Sequence, residues 1–181
     1  DRIGEKPVYY GWQGKGNEAV FLFGSEIKAL RAHPAFENKI SRSAVSLQMR
    51  YNYIPCPYSI YEGIFKLSPG TLLTVSLQKR EPKIWQYWSG AKVALSGVAR
   101  VFDGNTKQAI DDLEILLKDA IRMQMIADVP LGAFLSGGVD SSATVAMMQE
   151  QSSQPIKTFT IGFNEDGYNE AKYAKAIAKY L

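Results

Sequence analysis

The stretch "VPLGAFLSGGVDSSATVAMMQEQ" at 129–151, then "IKTFTIGF" at 156–163 and "YNEAKYAKAIAKYL" at 168–181, constrains the fold more than any other feature. A short apolar strand at 131–135 runs into a Gly- and Ser-rich loop. A helix to about Gln151, a second strand and a second helix follow. Strand, helix, strand, helix at this spacing is a βαβ unit, so a parallel sheet with a right-handed crossover is expected. In such sheets ligands sit beyond the carboxyl ends of the strands, where loops lead into helix N-termini. Residues 136–142 occupy that place.

The loop is unusual in its chemistry. Gly137 and Gly138 open backbone angles closed to other residues and let main-chain N–H groups approach a ligand without a Cβ in the way. The next helix adds free N–H groups and the positive end of its dipole, so the arrangement suits an oxyanion, phosphate above all. Ser136, Ser141 and Ser142 can add hydroxyl donors. Asp140 cannot bind phosphate directly. It can hold loop N–H groups as a helix cap, or help position a Mg²⁺ that bridges phosphate and protein.

Near misses narrow the chemistry. Gly132 and Gly137 have the spacing of a Walker A loop, but Gly138 stands where its Lys belongs. The hydrolase elbow G-x-S-x-G fails because Phe134 occupies its first Gly position around Ser136, and the sole His, His33, lies upstream. No G-x-G-x-x-G follows a strand, so a dinucleotide fingerprint is missing too.

The residues before this unit read differently. "PVYYGWQ" and "EAVFLFG", separated by "GKGN", suggest an antiparallel pair. "SEIKALRA" reads as a helix capped by Ser25, and "SRSAVSLQMRY" as a second, capped by Ser41 or Ser43. "SPGTLLTVSL" and "KIWQYW" look like two more strands. A linker is expected over 89–105. In "KQAIDDLEILLKDAIRMQM", Ile110, Leu113, Leu117, Ile121 and Met125 form one apolar stripe, expected to pack in a core.

Composition excludes several classes. The chain has 181 residues, 46% hydrophobic and 22% charged, enough for one or two small domains. A net charge of +3, scattered along the chain, gives nucleic-acid binding no support. The longest apolar runs, such as "AVFLF" at 19–23, are far short of the roughly 20 residues of a membrane span. A single Cys and no secretory-type start point to a reducing cytoplasm. Cys56 and His33 are alone of their kinds, so a Cys/His zinc site is not expected. Cys56 reads as structural and His33 as a helix-end residue.

"SGGVDSS" resembles the pyrophosphate loop of the N-type ATP pyrophosphatases, shared by asparagine, GMP and NAD synthetases and tRNA-modifying enzymes. The rest of the chain is more selective. "DRIGEKPVYYG", "FLFGSEIKAL", "YIPCPYSIYEGIFKLSPGTLL", "ADVPLGAFLSGGVDSS" and "TFTIGFNEDGYNEAKYAKAIA", in that order and spacing, resemble glutamine-dependent asparagine synthetase over nearly the whole chain.

The resemblance implies an α+β Ntn-hydrolase (glutaminase) remnant over 1–88 and the linker at 89–105. The start of an α/β parallel-sheet ATP-pyrophosphatase domain follows over 106–181. It also implies ammonia release from glutamine in the first domain and β-aspartyl-AMP formation from aspartate and Mg·ATP in the second, with asparagine as product. Ser136, Gly137, Gly138, Asp140, Ser141 and Ser142 would hold the ATP phosphates, with Asp140 toward Mg²⁺. Leu135 and Ile161 match positions that pack and contact the adenosine, with Gly162 a close-approach position beside them. Either of the first two can equally be sheet core. Glu170 can be a first-turn helix acid.

Two departures accompany this. The family nucleophile is an N-terminal Cys, but the chain opens at Asp1 inside the "DRxGxKP" block, so the nucleophile and most of the glutamine pocket are expected to be absent, and Cys56 does not replace it. The family's aspartate-binding residues would lie after Leu181. The expectation is therefore a fragment of a larger enzyme, inactive alone, whose parent pairs subunits through glutaminase domains. A sister enzyme acting on another carboxylate or closing a β-lactam, and a non-catalytic nucleotide-binding module, are the competing readings.

Overall fold

The computed structural model describes residues 1–76, 78–165 and 169–181. The chain divides into two compact units, Asp1–Val101 and Phe102–Leu181.

In the first unit, β1 (Tyr9–Gln13) and β2 (Val20–Gly24) form the expected antiparallel hairpin around a single 3-10 turn at Gly16–Glu18. Helix α1 (Ile27–Arg31) follows. Its N-cap is Glu26, without a side-chain cap bond, so the expected Ser25 cap is corrected. His33 lies just past this helix, and its Nδ1 accepts from the Ala35 N–H at 3.2 Å. Helix α2 (Arg42–Tyr51) is capped by Ser41, whose Oγ accepts from the Ala44 N–H at 3.3 Å.

Strand β3 (Phe65–Lys66) pairs with β1, giving the order β2-β1-β3. Two residues are too short to show a period in sequence. Leu30, Phe36 and Ile64 form the core beside this sheet, joined by Tyr9, Leu22, Ile27 and Tyr61. Phe36 meets Tyr61 edge-on at 5.1 Å. Burying each of these large apolar side chains contributes about 1.5–3 kcal/mol.

Tyr10 is buried on β1, and burial, then the nearby Cys56, push its phenol pKa up. Cys56 has a structural setting: its Sγ lies 3.1 Å from the Lys66 carbonyl oxygen and 3.3 Å from Ser68 Oγ. Strands β4 (Thr71–Thr74) and β5 (Lys83–Gln86) form a separate antiparallel pair. Leu77, within the run read as the first of these strands, lies outside the described residues.

The segment expected as a linker contains helix α3 (Gly90–Ala99), with Ser89 accepting from the Lys92 N–H at 3.4 Å. Two glycines in ten residues hid this helix from a propensity reading.

The second unit opens with α4 (Thr106–Gln124), set by a capping box in which Asn105 and Gln108 bond each other's backbone N–H. The apolar stripe of α4 is not core as expected. Ile110, Leu113 and Leu117 are 58%, 56% and 41% exposed, while Ile121 and Met125 at the far end of the stripe are partly buried. Lys118 ties the two helices, its Nζ 2.6 Å from Glu114 and 2.8 Å from Glu150, and these bonds raise its pKa.

β6 (Gly132–Phe134), α5 (Val139–Glu150), β7 (Lys157–Phe159) and α6 (Ala171–Tyr180) complete the unit. β6 and β7 are parallel, with Ala133 opposite Thr158 and Phe134 opposite Phe159. Tyr168, expected to open the last helix, lies outside the described residues. Leu135, Val145 and Ala174 form the core between this pair and its two helices, with Ala133 and Ile177 against it.

Candidate functional site

Two bonds fix where β6 ends. The Leu135 N–H donates to the Phe159 carbonyl at 2.9 Å, and Thr160 Oγ1 donates back to the Leu135 carbonyl at 2.6 Å. Residues 136–138 then turn the chain into α5. Thr160 was not singled out from the sequence, since a Thr in a strand needs no special reason.

Gly137 has φ +87, in the region that favours glycine. A Cβ there would stand 2.7 Å from Tyr173 Cβ and 2.9 Å from the Ala174 nitrogen. The first turn of α6 thus presses on the loop. Its residues were missed in sequence because a contact across 36 positions leaves no local signal. The same residue shows why Gly is required twice over: no side chain suits that φ, and no atom fits that gap.

The hydroxyls lock the turn. Ser136 Oγ lies 2.9 Å from Ser141 Oγ. The Ser136 N–H donates to Ser141 Oγ at 3.3 Å, the Gly138 N–H to Ser136 Oγ at 3.3 Å, and Ser141 Oγ to the Gly138 carbonyl at 3.2 Å. The N-cap of α5 is Gly138, which brings no side-chain bond, and Asp140 stands exposed in the first turn. Among the described residues the Asp140 carboxylate caps no N–H, so the capping alternative is replaced by the two serines.

What remains free is donor capacity. The first backbone bond of α5 is Ser142 N–H to Gly138 C=O at 3.0 Å. The N–H groups of Gly137, Val139, Asp140 and Ser141 have no acceptor among the described residues. Ser142 Oγ is buried without a partner among the described residues. A cluster of free N–H groups on a helix dipole, with no carboxylate accepting from them, is chemically suited to an anion.

The adenosine candidates separate. Leu135 is 1% exposed and its side chain belongs to the core. Ile161 lies two residues past β7 and is 70% exposed. Gly162 has ordinary room, a Cβ there standing 3.6 Å from Ala171 Cβ and 3.7 Å from Asn169 Oδ1. Glu170 is the residue before α6 rather than in its first turn, and its carbonyl accepts from Tyr173 and Ala174 N–H groups.

Residues 1–88 match the glutamine amidotransferase domain and residues 112–181 match asparagine synthase. A Methanocaldococcus jannaschii protein, provisionally named a glutamine-hydrolysing asparagine synthetase, is 41% identical over the whole chain. Asparagine synthetase 3 of Bacillus subtilis (strain 168) is 34% identical over 98% of it. Along its whole length the chain is thus similar to glutamine-hydrolysing asparagine synthetases.

It spans 33% and 27%, respectively, of the length of these two relatives. The amidotransferase match stops at Trp88, just before α3, and the asparagine synthase match begins at Asp112, inside α4. The braced loop therefore lies wholly in the asparagine synthase part. No described helix is long and apolar enough to cross a membrane.

Proposed function

We propose that residues 136–142 hold the phosphates of ATP in a cytoplasmic, glutamine-dependent enzyme that amidates aspartate. The observation that carries this is a set of four N–H groups, at Gly137, Val139, Asp140 and Ser141, that have no acceptor among the described residues and gather where β6 gives way to α5. On this reading the first unit is part of an Ntn-type glutaminase. The second is the start of an ATP-pyrophosphatase domain. The orphaned Ser142 hydroxyl supports a site short of its ligand.

The chemistry follows from where charge moves. The aspartate side-chain carboxylate attacks the α-phosphorus of ATP, the α–β bond breaks, and pyrophosphate departs carrying the electron pair. Ammonia released from glutamine then attacks the acyl carbon and AMP leaves, giving asparagine. Fixed N–H donors in the loop stabilise the negative charge that grows on the departing phosphates, and being preorganised they cost no rearrangement at that moment.

Among the described residues no group of three metal-ligating side chains converges. Mg²⁺ does not need one, since it is commonly held by one or two carboxylates plus substrate phosphates. The exposed Asp140 fits that role. When bound, Mg²⁺ would supply charge neutralisation to the phosphates.

Exchange of labelled pyrophosphate into ATP, in a full-length protein carrying this segment, tests the reading. Exchange that requires aspartate and is lost in Asp140→Ala is the expected result. Exchange that ignores aspartate, or survives the substitution unchanged, contradicts it.

A further inference from the structure

Helix α3 buries none of its residues, although it is built largely of Ala, Val, Gly and Leu. So short a helix is marginal by itself in water, and an apolar one is ordinarily covered. Along one side of it runs a trough of about 590 Å³, within the size range of ligand-binding clefts. Gln86, Tyr87 and Trp88 line it ahead of the helix, and Lys92, Val93 and Arg100 line it from α3 and its C-cap.

The charge of this trough is one-sided. No acidic side chain lines it, and among the described residues neither Lys92 nor Arg100 has a carboxylate partner. The Arg100 guanidinium donates to Ser96 Oγ, which leaves most of its N–H donors free among the described residues. Between the two cations Val93 is 54% exposed, and a Cβ added to Gly97 would meet nothing within 4 Å, so there is room for an apolar side chain.

Lys92 and Arg100 stand eight residues apart, about 12 Å of helix rise. A single small anion would leave Val93 and the helix uncovered. Two carboxylates at that spacing, joined through an apolar group, match both the charge and the surface. An extended peptide advances about 3.3 Å per residue, so side chains four positions apart span about 13 Å on one face, with another side chain midway between them.

We propose that this trough binds an extended acidic peptide segment, two of whose carboxylates, four positions apart, pair with Lys92 and Arg100 while the apolar side chain midway packs on Val93 and Tyr87. The site lies within the first unit and stands apart from the phosphate reading of the β6–α5 loop.

The probe is the synthetic peptide acetyl-Ser-Glu-Ser-Leu-Ser-Glu-Ser-amide, titrated into the isotopically labelled 181-residue chain. Saturable amide shifts at Tyr87, Trp88, Val93 and Gly97 are expected, weakening as salt is raised. Lys92→Gln and Arg100→Gln should each weaken binding about fivefold, and the pair about 25-fold, as separate exposed ion pairs do. Arg100→Lys, which keeps the charge, should retain most of the affinity. A peptide with its glutamates only two positions apart reaches one cation and should lose about fivefold. Absence of saturable shifts, or shifts centred outside the trough, overturns the proposal. Equal affinity for a peptide with glutamine in place of both glutamates, or for the two glutamate spacings, overturns it as well.

Discussion

At Gly137 two independent requirements meet on one residue: a positive φ and an α6 backbone less than 3 Å from where a Cβ would sit. Gly137→Ala should therefore destabilise the second unit by about 2–4 kcal/mol, combining the left-handed penalty with displacement of α6. Thermal or urea unfolding would check this, and an undiminished midpoint would show that α6 yields freely. Leu135 makes a contrasting case. Its side chain is core, so Leu135→Ala should cost about 2–5 kcal/mol without any nucleotide present. A loss seen only in ATP binding, with stability intact, would return Leu135 to the adenosine site. Ser142→Ala removes a buried hydroxyl that lacks a partner among the described residues. The ligand-free chain should be no less stable for it, since an unmet desolvation cost goes with the group.

Among the elements, those with a long period or a strong turn signal were legible in the sequence. The β1–β2 hairpin around "GKGN", α2 behind Ser41, α4 and the parallel β6–β7 pair all stand where patterning puts them. Elements held by context were not. β3 is two residues long, and α3 carries two glycines through a stretch that reads as a linker. Periodicity also misjudged burial: the stripe on α4 is real, yet Ile110 and Leu113 are more than half exposed, because a pattern says which residues share a face and not what covers it. In the loop, the glycines of "SGGVDSS" pointed to a turn with open backbone N–H groups. They could not say that Ser136 and Ser141 bond each other or that Asp140 caps nothing, since both depend on rotamers. The capping box at α4 offers a clean element-scale test. Asn105→Ala should lower stability by about 1 kcal/mol, read from the helix signal during unfolding. Asn105→Ser should recover most of it.

For the molecule as a whole, the two units keep separate cores, one around Leu30, Phe36 and Ile64 and one around Leu135, Val145 and Ala174. Alkaline pH should act on the first. The phenol of Tyr10 holds its proton above the ordinary value of 10.0, chiefly through burial. A folded-state pKa raised in this way gives stability that is complete below the unfolded value and is lost as pH climbs through the folded one. Unfolding of the first unit should therefore become easier above about pH 10. Tyr10→Phe should flatten that alkaline limb, and a limb of the same slope in Tyr10→Phe would assign it to other groups. Whether the loop between β6 and α5 holds the ATP phosphates can be read by titrating the labelled 181-residue chain with Mg·ATP and following every amide resonance. If it does, the largest shifts fall at Gly137, Val139, Asp140 and Ser141 and saturate together. No shifts, or shifts centred elsewhere, would contradict that reading.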